Sequence, residues 1–180
     1  VLSYKYEGNY VPLRGKECST QQMPFISEKI PTFEEFANAS IEDIYGDEII
    51  DAYERKVTSF ESIVLINRGN NKFDVQKLPP LAQSIPILTS DVYDINNDGF
   101  EDIVVAGNIY NTEVETPRLD NQFALVLISN KNSNYNVIGP DKSGLYLSGN
   151  TKSIKIIGND NPKLLVANNN SDLEVFELNK

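Results

Sequence analysis

A mainly-β chain of β-propeller-like blades is the fold class this sequence predicts, with one short helical segment near residues 32–55. Three observations carry that expectation. From residue 57 onward, short β-branched and apolar runs alternate with Asn, Gly, Asp and Pro, the turn-forming residues. The chain also repeats itself at a spacing of roughly sixty residues. Ile63-Val-Leu-Ile66 followed by Phe73 matches Leu125-Val-Leu-Ile128 followed by Tyr135, and Asp102-Ile-Val-Val-Ala106 matches Lys163-Leu-Leu-Val-Ala167. Each repeat holds about four candidate strands, the size of one blade, so residues 57–180 amount to about two and a fraction four-stranded units. That is too few to close a ring.

Taken in order, residues 1–30 mix tyrosines with polar residues and Pro12, and read as a short strand or two followed by loop. Thr32 ahead of Phe33-Glu-Glu35 is a capping-box start, and Phe33, Phe36 and Ala37 fall at i, i+3 and i+4. Ser40 caps a second turn in which Ile41 and Ile44 share a face, and Gly46 ends it. Asp47 caps a third short helix with Ile49, Ile50 and Tyr53 apolar. The segment 32–55 is expected to be an insertion or cover that packs against a sheet. Strands are expected at 59–67, 72–77, 87–94, 102–108, 123–129, 135–138, 153–157, 163–167 and 173–177. The asparagine-rich stretches 129–136 and 168–171 read as solvated hairpin tips. At 180 residues, a single domain spanning 1–180 is the default. An open array leaves edge strands exposed, and homodimerisation or docking through those edges would cover them.

One stretch announces a chemistry. Residues 94–102 read Asp94-Ile-Asn96-Asn-Asp98-Gly99-Phe100-Glu-Asp102, with oxygen-bearing side chains at positions 1, 3, 5 and 9 and glycine at position 6. A hard cation such as Ca²⁺ takes six to eight oxygens, and alternate residues of a tight loop can turn theirs inward. Gly99 permits the positive φ that such a turn needs. Asp94, Asn96, Asp98 and Asp102 are the side-chain ligand candidates. The Phe100 carbonyl is the natural position-7 ligand, and water would complete the shell. An EF-hand would place a bidentate Glu at position 12, where Val105 stands, and a helix where a β-branched run follows. The loop is therefore read as a calcium loop between strands. The plainer alternative is an Asn/Asp/Gly hairpin turn that binds nothing. In the next repeat the corresponding stretch, Lys155-Ile-Ile-Gly-Asn-Asp-Asn-Pro-Lys163, has lost most carboxylates, so one site is expected.

The run Asp-x-Asn-x-Asp-Gly-x-x-Asp-Ile-Val-Val-x-Gly-Asn from Asp94 to Asn108 resembles the core of the FG-GAP/VCBS repeat of β-propellers. Arg14-Gly-Lys-Glu-Cys-Ser-Thr-Gln-Gln-Met-Pro-Phe25, Thr32 to Gly46 and Leu78-Pro-Pro-Leu-Ala-Gln83 resemble the C-terminal part of large bacterial VCBS-repeat proteins. Those are related to the ASPIC/UnbV group and typical of Bacteroidetes. The resemblance covers nearly the whole chain. It implies FG-GAP/VCBS-like β-repeats over 57–180 and a bound Ca²⁺.

Composition narrows the function. The formal net charge of −10 argues against nucleic acid and anionic membrane surfaces, which reward basic patches. With no histidine, Ser-His-Asp and Cys-His systems and His-ligated metals are excluded. The one cysteine, Cys18, permits no intrachain disulfide. There is no tryptophan for a sugar platform, and no apolar run approaches the roughly 20 residues of a membrane span. The start at Val1 reads as a trimmed chain or a piece of a larger precursor. The long connection 109–122 carries Tyr110, Arg118 and Asp120 as candidate ligand-binding residues. The leading expectation is a non-catalytic calcium-binding β-repeat module that contacts protein or carbohydrate, at the bacterial surface or outside the cell. One alternative is a carboxylate-based hydrolase of glycans or phosphoesters using Glu113, Glu115 and Asp120. The other is a structural end-cap of a longer propeller.

Overall fold

The computed structural model describes residues 1–114, 116–121, 123–130 and 134–179. It divides into two compact units, Val1–Thr58 and Ser59–Lys180. The boundary falls beside residue 57, where the sequence pattern turns all-β.

The first unit opens with the antiparallel hairpin β1 (Ser3–Tyr6) and β2 (Asn9–Pro12). Four short helices follow: α1 (Lys16–Gln22), α2 (Phe25–Lys29), α3 (Phe33–Asn38) and α4 (Ile41–Tyr45), then a 3-10 turn at Gly46–Ile49. Of the three helix starts read from the sequence, those at Thr32 and Ser40 are full capping boxes, whereas Asp47 lies inside the 3-10 turn and caps nothing. Thr32 Oγ1 accepts the Glu35 amide while Glu35 accepts the Thr32 amide, and Ser40 and Asp43 do the same. The helices bury Ile26, Ile30, Phe36, Ala39 and Ile44 together. Three expectations change here. Residues 16–29, read as loop, are helical, because α1 has neither a side-chain cap nor an apolar stripe to announce it. Phe33 is exposed, with the Lys16 ammonium 5.6 Å from its ring centroid, instead of joining the buried face. The third helix shrinks to the 3-10 turn and leaves Ile50 and Tyr53 exposed.

The second unit contains β3 (Ile63–Asn67), β4 (Phe73–Lys77), α5 (Pro80–Gln83), β5 (Thr89–Tyr93) and β6 (Asp102–Ala106). It continues with β7 (Leu125–Ser129), β8 (Tyr135–Ile138), α6 (Pro140–Ser143), β9 (Thr151–Ile157), β10 (Lys163–Asn168) and β11 (Glu174–Glu177). Every strand expected after residue 57 is present. Residues 131–133, in one expected hairpin tip, lie outside the described residues. All pairings are antiparallel and form three sheets, β3-β4, β5-β6-β7-β8 and β11-β10-β9. Among the described residues the sheets do not close into a barrel or a propeller.

The order of elements recurs: hairpin, helical turn with Pro at its first position, hairpin. β3-β4-α5-β5-β6 and β7-β8-α6-β9-β10 follow the same plan. Alternation along each strand sends successive side chains to opposite faces of each sheet. Val105, Leu125 and Leu127 of the middle sheet pack with Val64 of the first hairpin and with Leu78, Ala82 and Ile85 around α5. On the opposite face, Val104, Ala106 and Val126 pack with Ile154, Ile156, Leu164 and Val166 of the last sheet and with Leu145 and Leu147 after α6. The middle sheet is thus covered on both sides.

Side chains of β5 also hold β9, the edge strand of the last sheet. Thr89 Oγ1 accepts the Ile154 amide at 3.1 Å and Asp91 accepts the Ile156 amide at 2.6 Å. The Tyr93 hydroxyl donates to the Asn159 carbonyl at 3.2 Å. The first two bonds satisfy edge donors, and the third a carbonyl just past the strand, that would otherwise need water.

Candidate functional site

The loop 94–101 joins β5 to β6 where Tyr93 pairs with Asp102. Its path needs two left-handed residues, and Asn97 (φ +56°) and Gly99 (φ +86°) supply them. Asp94 sits at the mouth. One of its oxygens accepts the Asp98 amide at 3.0 Å and the other the Gly99 amide at 2.9 Å. Asn96 Oδ1 also accepts the Asp98 amide, at 3.0 Å, and Asp98 Oδ1 accepts the Phe100 amide at 2.9 Å. Asn96 Nδ2 donates to Asp98 Oδ2 at 2.9 Å. The sequence positions 1, 3 and 5 therefore converge, and Asn96, Asp98 and Phe100 face solvent.

Asp102 behaves differently. It is fully buried, and its two oxygens accept backbone amides, Ile95 at 3.0 Å and Ser129 at 2.8 Å. It ties the loop to the end of β7. Among the described residues, no three Asp, Glu, Cys or His side chains converge as metal ligands do. The convergent set is two carboxylates, Asp94 and Asp98, with the Asn96 amide. Each of their oxygens engaged by one amide keeps a second lone pair, and an all-oxygen donor set suits a hard cation.

The three residues singled out in the long connection do come together. Arg118 forms an ion pair with Asp120, and its guanidinium lies 4.6 Å from the centroid of the Tyr110 ring. The Tyr110 hydroxyl donates to the Ser148 carbonyl at 2.8 Å. Arg118 and Asp120 line a cleft of about 380 Å³ with Gln83, Ser84, Leu119 and Asn121. Among the described residues, Asp120 is its one carboxylate. Gln83 is already committed, since it bonds both backbone groups of Ser62 and the Leu78 carbonyl. Glu115 lies outside the described residues. A second hollow of about 380 Å³ in the first unit has Glu35 and Asp43 in its lining, but both carboxylates are the reciprocal partners of the capping boxes. The Ser40 hydrogen bonds hold the Asp43 carboxyl below its ordinary pKa.

Sequence reasoning missed two polar anchors. Burial pushes the Asp91 carboxyl up, but the Ile156 amide, the Lys155 ammonium and the Val92 amide together hold it below the ordinary carboxylate value. Asn108 is buried; its amide donates to the Leu147 and Gly149 carbonyls and its oxygen accepts the Asn121 amide. The signal for Asp91 was an acidic residue inside an expected strand, Thr89-Ser-Asp-Val-Tyr93.

Among the described residues, no helix is long and apolar enough to cross a membrane. Comparison with known proteins adds no relative: no protein-family model, no curated protein and no solved structure matches the chain.

Proposed function

We propose that the chain is a non-catalytic, calcium-binding β-repeat module of a larger secreted or cell-surface protein, with the ion held in the loop 94–102. The observation that carries this reading is the convergence of Asp94, Asn96 and Asp98 around a loop wound by Asn97 and Gly99. Their oxygens and the Phe100 carbonyl would hold the cation. The Asn96–Asp98 side-chain bond is the contact it would displace. Asp102, engaged by two amides, would support the ligands from beneath. A bound divalent cation supplies the positive charge that lets clustered carboxylates approach.

The same reading takes the three sheets as successive propeller-like blades, which the recurring hairpin, Pro-started turn and hairpin supports. The likeness of residues 94–108 to FG-GAP/VCBS repeats points the same way. The Tyr110–Arg118–Asp120 group beside the cleft is the surface offered to a protein or carbohydrate ligand. A hydrolase would need a second carboxylate beside Asp120 in this cleft. Calorimetry on chelator-stripped protein tests the proposal. One Ca²⁺ per chain is expected, and none for Asp98→Ala. Absence of heat at millimolar Ca²⁺ would reduce the loop to a turn.

A further inference from the structure

The β5–β6 loop also gathers reactive groups around one of its own peptide bonds. Asp98–Gly99 is the single Asp-Gly pair in the chain, and no Asn-Gly pair occurs. An amide nitrogen that follows an aspartate can attack the carboxyl carbon of that side chain and close a five-membered imide. A following glycine leaves the approach clear, because it has no Cβ and its backbone turns freely. The space at Gly99 is open, with nothing within 4 Å of where a Cβ would stand.

Three hydrogen bonds fall where this reaction needs them. Gly99 nitrogen is the nucleophile, and its N–H donates to Asp94 Oδ2 at 2.9 Å, within reach of a general base. Asp98 Oδ1 accepts the Phe100 amide at 2.9 Å, and Asp98 Oδ2 accepts Asn96 Nδ2 at 2.9 Å. Both donors therefore sit on the oxygens that gain charge when the Asp98 carboxyl carbon becomes tetrahedral. Asp98 is exposed, so water has access to the imide.

We propose that the cation-free loop is an autocatalytic modification site, where Asp98 rearranges to isoaspartate with Asp94 as the base. Gly99 nitrogen bonds to Asp98 Cγ while its proton passes to Asp94. One oxygen of the Asp98 carboxylate leaves as water, carrying that proton and one from solvent. Water then attacks the main-chain carbonyl carbon of Asp98 and breaks its bond to Gly99 nitrogen, returning the solvent proton. The backbone now runs through the side chain of residue 98 and is one methylene longer. Nothing is oxidised or reduced, and the mass is unchanged. The longer link shifts the Gly99 amide and the Phe100 carbonyl away from Asp94 and Asn96, so the oxygens of the loop no longer converge. A cation held by Asp94 and Asp98 would withdraw base and electrophile together and protect the loop. That protection rests on the calcium reading; the rearrangement does not.

Incubation of the full chain in chelator at neutral pH tests it, with isoaspartate located by electron-transfer fragmentation of its peptides. Isoaspartate is expected to accumulate at residue 98, and faster in the folded chain than in the same chain held in urea. Asp94→Asn keeps the shape and an acceptor oxygen but not the basicity, and should slow the folded chain by about tenfold or more. Asn96→Ala removes one donor from the Asp98 carboxylate and should slow it as well. Circular dichroism checks that each variant folds, and Asn96→Ala serves if Asp94→Asn does not. A folded chain that rearranges no faster than the chain in urea overturns the proposal. So does a folded Asp94→Asn, or in its place Asn96→Ala, that keeps the wild-type rate. Saturating Ca²⁺ should suppress the reaction in the wild type; calcium that binds by calorimetry yet leaves the rate unchanged overturns the protection. The chelator arm contains no Ca²⁺, so a failure of calcium binding is read apart from a failure of the rearrangement.

Discussion

Asp98 and Asp102 belong to one motif but do different work. Asp98 is exposed at the loop tip, where its loss removes a candidate ligand and short local bonds. Asp102 is buried and answers two amides from two different segments. Asp102→Ala is therefore expected to destabilise by on the order of 3 kcal/mol, because the Ile95 and Ser129 amides lose a charged acceptor. Urea unfolding in chelator should show this loss for Asp102→Ala and a much smaller one for Asp98→Ala. Equal losses would contradict the division of labour. Asp91 gives a pH signature. Its folded-state pKa is depressed, so the unfolded chain binds the proton more readily. Its contribution is then fully present above about pH 4 and is lost as pH falls through the lower native value. Asp91→Asn should unfold with a flatter stability curve below that pH, read by urea midpoints across the acid range. The spacing of residues 94–102 made the loop legible, but spacing cannot say which carboxylate turns inward; that depends on Ser129, 27 residues away in sequence.

At the scale of elements, strands were legible where helices were not. Runs such as Asp102-Ile-Val-Val-Ala106 carry β-branched residues between turn formers, which marks the strand, although the one expected over 102–108 ends at Ala106. The helical turns α5 and α6 span four residues each, too short for a 3.6-residue period to register. Their sign is Pro at the first helical position, which a turn displays equally. α3 and α4 were readable because Thr32–Glu35 and Ser40–Asp43 announce themselves as caps. One glycine shows how closely elements approach. A Cβ on Gly107, just past β6, would lie 2.4 Å from the Pro86 carbonyl oxygen and 2.7 Å from the Leu88 amide nitrogen. Neither is a side-chain atom that can swing away. Gly107→Ala should cost about 3 kcal/mol by overpacking, measured as a lowered urea midpoint. A midpoint unchanged from wild type would mean that the 86–88 segment yields freely.

For the whole molecule, the sequence pattern from residue 57 onward anticipated a strand-rich region, and the division between the two compact units falls beside that point although a single domain was expected. It did not anticipate how sheets adhere, because that rests on the face each residue takes and on bonds such as Asp91 to Ile156. Coverage of the middle sheet on both faces has a consequence for how the fold opens. β6 and β7 can lose their protection only if a neighbouring sheet departs first, whereas β3–β4 has one shielded face to lose. Opening free energies should therefore form a gradient along the chain, rising from the outer hairpin to the centre. Native-state hydrogen exchange should find the amides of Val104, Val105 and Leu127 the slowest and those of β3–β4 among the fastest of the strands. The centre of the stack would then hold its shape through fluctuations that let its ends breathe.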